Sequence, residues 1–226
     1  MMSPALRALY EAHAAASLEK QLCFSVLLKD AGPWKFSTES GLLSFGGAHF
    51  YRAQLLGTEV ERGNMWLWAW ANTASRVNPR LLRSVEALRG FGQKNNISEF
   101  VKPQIPLETL STGDLGMAAA GICQMDCFYR GTQPGGASLL LVEAAPVRAL
   151  WNSSPQRIQV IFTQLSANRE IDHRNALTHF LRYKGYDVKA AGPAIDGALP
   201  TGEQVHATFD DQGYLAKIES PAPAKK

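Results

Sequence analysis

Along the opening of the chain, apolar side chains recur near the helical period. Leu6, Leu9, Tyr10, Ala14, Leu18, Leu22 and Val26 fall on one stripe, with His13 among them, and that spacing predicts an amphipathic helix. The helix runs over about Pro4–Lys29 and stops at Asp30-Ala-Gly-Pro33, where Gly and Pro break the period. The period then changes to 2. Residues 34–37, 42–45 and 49–60 read as strands, separated by Glu39-Ser-Gly41 and Gly46-Gly47, which are turn chemistry. Glu61-Arg-Gly-Asn64 closes a hairpin into MWLWAWA (Met65–Ala71).

From Asn78-Pro79 the helical period returns, with Asn78 as N-cap, Pro79 at the first position and Leu81, Leu82, Val85 and Leu88 as its apolar face. It weakens at Gly90 and Gly92. Residues 95–110 hold Pro103 and Pro106 and read as an irregular crossing between two halves. Beyond it, Asp114–Phe128 predicts a helix of small residues and Ser138–Glu143 a strand. Ser154-Pro155 opens another helix, although Ile158, Val160, Ile161 and Phe162 suit a strand equally. Asp172 caps a helix over His173–Lys184, ended by Gly185. Gln204–Phe209 and Tyr214–Glu219 read as strands joined by Asp210-Asp-Gln-Gly213, a hairpin turn. The pattern predicts an α+β protein: antiparallel sheets packed by flanking helices, in two similar-sized halves. The halves are residues 1–95 and 96–219, followed by a disordered tail, 220–226.

Within MWLWAWA, Trp66, Trp68 and Trp70 alternate, so a strand would place all three on one face, in a row roughly 13 Å long. Met65, Leu67, Ala69 and Ala71 fill the other face. A strand apolar on both faces is covered on both, and each indole buries on the order of 200 Å². The three tryptophans are therefore expected in the core, with an acceptor for each indole N–H.

Composition narrows the class. A chain of 226 residues, 46% hydrophobic and 19% charged, builds a core without staples. A net charge of +3 neither marks nor excludes a nucleic-acid partner. Three cysteines, Cys23, Cys123 and Cys127, do not make a secreted disulfide framework. Charged residues interrupt the N-terminal helix, so it carries no signal-peptide pattern, and no apolar run reaches the roughly 18 residues of a spanning helix. A soluble, cytoplasmic protein without a membrane partner is expected.

The segment YRAQLLGTEVERGNMWLWAWAN (Tyr51–Asn72), followed by a helix and GFGQ (Gly90–Gln93), resembles an uncharacterised bacterial domain family whose members carry an AQ…GT…W-W-WAN core. FYRG (Phe128–Gly131), SLLLVE and ATFDDQGYLAKI (Ala207–Ile218) look like its second half. The resemblance implies a fold; the family has no agreed catalytic residues to carry over. Stand-alone bacterial proteins of this kind often serve as immunity proteins to secreted toxins, including type VI nuclease effectors, an argument by analogy.

The chain contains no GxSxG, P-loop, HExxH or GxGxxG motif. Cys123 and Cys127, four apart on the expected helix, lack the further ligands a zinc site needs and read as small buried hydrophobes. Asp172-His173-Arg174 reads as a helix start. Arg76, Arg80, Arg83, Arg89 and Lys94 make a basic stretch around Glu86, but it holds a single aromatic, Phe91, and no interleaved row for bases to stack on, which argues against nucleic acid. The reading is a non-catalytic protein-binding inhibitor, an immunity protein that occludes a cognate toxin and uses no cofactor or metal. Its contacts are expected at polar tips: Glu59, Glu61 and Arg62 on one hairpin, Asp210 and Asp211 on another. The alternative is a small-molecule-binding or enzymatic domain with a pocket floored by the tryptophans.

Overall fold

Ser3 starts the first helix, α1 (Pro4–Leu27): its hydroxyl accepts from the Leu6 amide, and Pro4 occupies the first position, where a missing N–H costs nothing. Of the predicted stripe, Leu6, Tyr10 and Ala14 are buried, whereas Val26 is 67% exposed. Glu11 and Glu19, which the apolar pattern passes over, are buried.

The computed structural model describes residues 2–108 and 110–220, and the chain divides into two units. One comprises Met1–Tyr10 with Lys20–Leu150, the other Glu11–Glu19 with Trp151–Lys226. The boundary expected at residue 95 falls inside the first unit. The expectation for the tail concerns residues that, from 221 onward, lie outside the described ones.

The first unit is an antiparallel seven-stranded sheet with helices. Its strands are β1 (Trp34–Phe36), β2 (Leu42–Phe45), β3 (His49–Val60), β4 (Met65–Trp68), β5 (Gln104–Pro106), β6 (Cys127–Gln133) and β7 (Gly136–Glu143). The helices are α2 (Arg83–Asn95), α3 (Ser98–Val101), α4 (Thr112–Ile122) and α5 (Ala145–Leu150). Strand β3 is the hub. Its start pairs with β2 and its end with β4, while Arg52–Val60 pairs along the other edge with β7. This long-range pairing, and that of β4 with β5, is why no boundary falls at residue 95. Between Leu55 and Gly57 the register with β7 shifts; the bulge adds twist and re-aims the ladder.

The two faces of this sheet are clad differently. Leu55, Thr58, Tyr129, Ser138 and Leu140 share one face by register. On it, Phe24 of α1 meets Tyr51 edge-on at 5.2 Å between ring centroids. The opposite face holds Trp66, Trp68 and Phe128; Phe100 of α3 packs on Trp68, and α4 approaches Phe128 closely at Gly116.

Near the tryptophans and the cysteines the local structure departs from the sequence pattern. MWLWAWA is strand only through Trp68; Ala69–Ala71 form a 3₁₀ turn. The helix expected over Asp114–Phe128 ends at Ile122, and Gln124 turns the chain at φ 55° into β6. Cys123 therefore caps α4 while Cys127 lies in β6, not on one helical face.

The second unit contains α6 (Pro155–Leu165) and α7 (His173–Tyr183), capped by Ser154 and Asp172. Between helix and strand, residues 155–165 settle on helix: Ile158, Ile161, Phe162 and Leu165 are buried at helical spacing while Val160 is exposed. A four-stranded antiparallel meander follows: β8 (Asp187–Ala191), β9 (Ala194–Ala198), β10 (Gln204–Phe209) and β11 (Leu215–Glu219). Ile195, Val205, Ala207 and Ile218 are its buried side. Each unit combines antiparallel strands with helices, so the fold is α+β. Among the described residues no helix is long and apolar enough to cross a membrane.

Candidate functional site

At one end of the first unit's sheet two hairpin tips lie side by side. Glu61, Arg62, Gly63 and Asn64 connect β3 to β4; Pro134 and Gly135 connect β6 to β7; all are exposed. The Glu61 amide donates to the Gly135 carbonyl at 3.1 Å, and the Leu107 amide donates to the Asn64 carbonyl at 2.9 Å. Gly136 permits this closeness: it holds φ 151°, and a Cβ there would meet the Glu59 carbonyl oxygen at 1.8 Å. Because both edges of β3 are paired here, the tips are braced.

Glu59, expected to join these contacts, is committed internally. Arg130 grips its carboxylate with Nε at 2.6 Å and with Nη2, and Thr112 donates its hydroxyl. The Arg130 hydrogen bonds hold the Glu59 carboxyl below the usual range; partial burial opposes this, and Thr112 adds to the lowering. A carboxyl lowered on folding stabilises the fold above its unfolded pKa and ceases to as pH falls through its folded one. The Glu59 carboxyl carbon, followed by NMR, is accordingly expected to titrate below an ordinary glutamate, and Arg130→Gln to move it upward. Titration at the ordinary value in the wild type would refute the clamp. Since the Arg130 side chain is 45% exposed, solvent screens the pair.

Asp210 and Asp211 belong to the second unit, at the turn between β10 and β11. Asp210 builds that turn: its carboxylate accepts from the amides of Gln212 and Tyr214 at 3.0 and 2.9 Å. Asp211 is exposed.

The tryptophans separate. Trp66 and Trp68 are each 0% exposed and meet edge-on at 5.5 Å. The Trp68 Nε1 donates to the Glu99 carbonyl at 2.9 Å; that of Trp66 has no acceptor among the described residues. Trp70 leaves the row with the 3₁₀ turn and is only partly buried, under the Arg89 guanidinium at 4.1 Å. The sealed pair cannot floor a pocket. A cleft of about 330 Å³ opens on the other face of the sheet, walled by Trp34 and Phe36 with Thr58, Ser138, Gln133 and Arg76. Its signal in the sequence is the WKF strand, whose aromatics recur at period 2.

Cys123 and Cys127 are shielded from solvent to different degrees, Cys127 fully buried. Burial pushes the Cys123 thiol up to about 12 and raises that of Cys127 too, which disfavours the reactive thiolate. No three His, Cys, Asp or Glu side chains among the described residues are placed to hold a metal.

Buried charge is concentrated in the second unit, where the apolar pattern gives no warning of it. Glu19 and Lys184, both with side chains 0% exposed, form an ion pair, and Arg157 Nε reaches Glu19 at 2.9 Å. Glu11 accepts from the Asp172 amide and the Asn175 side chain. His173 accepts at Nδ1 from the Leu215 amide at 3.0 Å, with Nε2 at 2.8 Å from the Asn168 carbonyl, a pairing that fixes the neutral Nε2–H tautomer. The clue lay in helical geometry: Glu11, Ala15, Glu19 and Cys23 form one i, i+4 row.

A curled antiparallel sheet with helices, ending in braced polar tips, defines an α+β protein. A family model, "Family of unknown function (DUF6882)", matches residues 7–145, more than half of the chain, and the protein belongs to that family. The match includes Tyr51–Asn72 and Phe128–Gly131 but ends before Ala207–Ile218, which looked like part of the family's second half. No curated protein and no solved structure matches the chain.

Proposed function

We propose that this protein is a non-catalytic inhibitor that binds another protein, an immunity protein occluding a cognate secreted bacterial toxin of the type VI nuclease-effector kind. The observation that carries this reading is the pair of braced, exposed tips at Glu61–Asn64 and Pro134–Gly135. A preorganised polar projection binds without the cost of ordering a loop. An interface of roughly 1,200–2,000 Å² around it is enough to cover a catalytic cleft. With Glu59 committed to Arg130, Glu61 supplies the acidity of this hairpin, and Asp211 that of the turn in the second unit. The Glu61 carboxylate suits the basic cleft of a nuclease, and Arg62 beside it suits an acidic group at the rim of that cleft. The ionisable side chains buried in the fold support the same reading, because Glu11, Glu19, Asp126 and His173 are engaged with structural partners.

The test is affinity purification from the native host, then co-expression with the captured toxin. The wild-type chain is expected to restore growth, and E61K/R62E to lose affinity about tenfold or more with an unchanged melting temperature. Equal protection by that variant would move the interface elsewhere. Recovery of no toxin at all would overturn the inhibitor reading.

A further inference from the structure

From the cleft beside Trp34 on the first unit's sheet we infer a second binding site, for a small organic carboxylate bearing an aromatic or similarly flat apolar ring. The site goes beyond the inhibitor reading, since Glu61 and Arg62 are not among its walls.

The aromatic wall is fixed before any ligand arrives. The Trp34 ring lies directly over Gly131, where a Cβ would stand 2.5 Å from it, and meets Tyr129 at 5.8 Å between centroids. Backbone on one side and an edge-on ring on another hold the indole, and Phe36, two residues along β1, adds a second apolar surface. A ring entering between them is stacked at little entropic cost.

The polar groups converge from other elements. Thr58 and Ser138 are direct cross-strand partners, so their hydroxyls share the floor. The Gln133 amide donates to the Ser138 Oγ at 3.2 Å, which leaves the Ser138 O–H to donate toward a ligand. Arg76, on the irregular segment that roofs the cleft, is exposed and has no ion-pair partner among the described residues. A planar fork of N–H donors matches a carboxylate. A single cation beside two hydroxyls suits one negative charge better than a multiply charged phosphate. The volume, about 330 Å³, sits at the small end of ligand sites and admits one ring system with a short acid arm.

The experiment titrates the full-length protein with phenylacetate and with indole-3-acetate, following backbone and indole N–H signals by NMR. Phenylacetamide and inorganic phosphate serve as controls. The carboxylates are expected to shift the Trp34 indole, Thr58 and Ser138 signals and to saturate at or below about 1 mM. Phenylacetamide and the R76Q variant should each bind about tenfold more weakly or worse. R76Q changes an exposed side chain, and its unperturbed spectrum elsewhere reports that the fold is intact. E61K/R62E should bind the carboxylates normally, which separates this site from the toxin-binding surface. Absence of saturable shifts at Trp34, equal affinity for phenylacetamide, or phosphate binding as tightly as the aryl acids would each overturn the proposal.

Discussion

Replacing Lys184 with Met is expected to cost about 3–5 kcal/mol of folding stability, the usual penalty for breaking one side of a buried ion pair. The Lys184 side chain is fully buried, pairs with the equally buried Glu19, and donates to the Asn152 carbonyl at 2.5 Å. Its ammonium also sits 4.1 Å from the centroid of the Trp151 ring, an arrangement favourable to a desolvated cation. Without it, Glu19 keeps Arg157, and Arg157, with a side chain 27% exposed, is drawn partly toward water. Glu19→Gln is expected to fall in the same range, because it strands the ammonium instead. The double variant E19L/K184M removes both charges and should be less destabilised than either single one, since apolar replacement of a whole buried pair is often tolerated. A double-mutant cycle on urea midpoints measures that coupling. A loss within about 0.5 kcal/mol for K184M, the range of surface changes, would show that this cluster does not hold the second unit together.

The legibility of the sequence followed how local each determinant was. Strands β2 and β3 were legible to the residue because alternation and turn glycines bound them on both sides. Helices α6 and α7 announce their starts through Ser154 and Asp172, each of which accepts from an amide of the first turn, whereas α1 is legible from its apolar period and its Ser3 cap emerges only in the structure. The prolines of β5 make it look like irregular chain in the sequence, yet an edge strand tolerates Pro106, which pairs with Met65 at the rim of the sheet. Strands β8 and β9 carry Asp, Lys, Gly and Ala and only two large aliphatics, Val188 and Ile195. They form by extending a meander one face of which is solvated. The pairing of β3 with β7 joins segments some 80 residues apart by number, and nothing in the local pattern marks it. Of the candidate contacts, Glu61 and Arg62 stand exposed as a hairpin tip predicts. The fate of Glu59 depended on Arg130, a neighbour across β7 that no spacing rule reveals. The cleft required three separate segments to converge, which only the folded chain displays.

The second large effect lies in the tryptophans. Trp66→Ala and Trp68→Ala are each expected to lose about 3–5 kcal/mol, as for other fully buried aromatics cut to alanine. Trp70→Ala should lose less than half as much. The difference originates where the ladder ends. Trp68 is the last residue of β4 and faces Gly57 across the pairing. Gly57 with Trp68 is the last pair between β3 and β4, and from Ala69 the chain leaves the ladder and coils into a 3₁₀ turn. Gly57 itself is the notch that seats Trp66: a Cβ there would stand 2.3 Å from the indole and 2.5 Å from the Leu67 carbonyl. Removing Trp68 also removes its edge-on contact with Phe100 at 5.9 Å and strips the Glu99 carbonyl of its donor. Trp70, partly exposed and covered by an arginine, gives up mainly a cation–π contact worth about 0.5–1 kcal/mol at an open site, plus partial burial. Urea denaturation followed by far-UV circular dichroism, with all three variants at equal concentration, reads these losses as shifts in midpoint. A Trp70→Ala shift equal to the other two would mean that the indoles act as one row after all. Near-neutral Trp66→Ala would mean that the sealed pair is not the core of this unit, and the case for a rigid sheet bracing the exposed tips would fall with it.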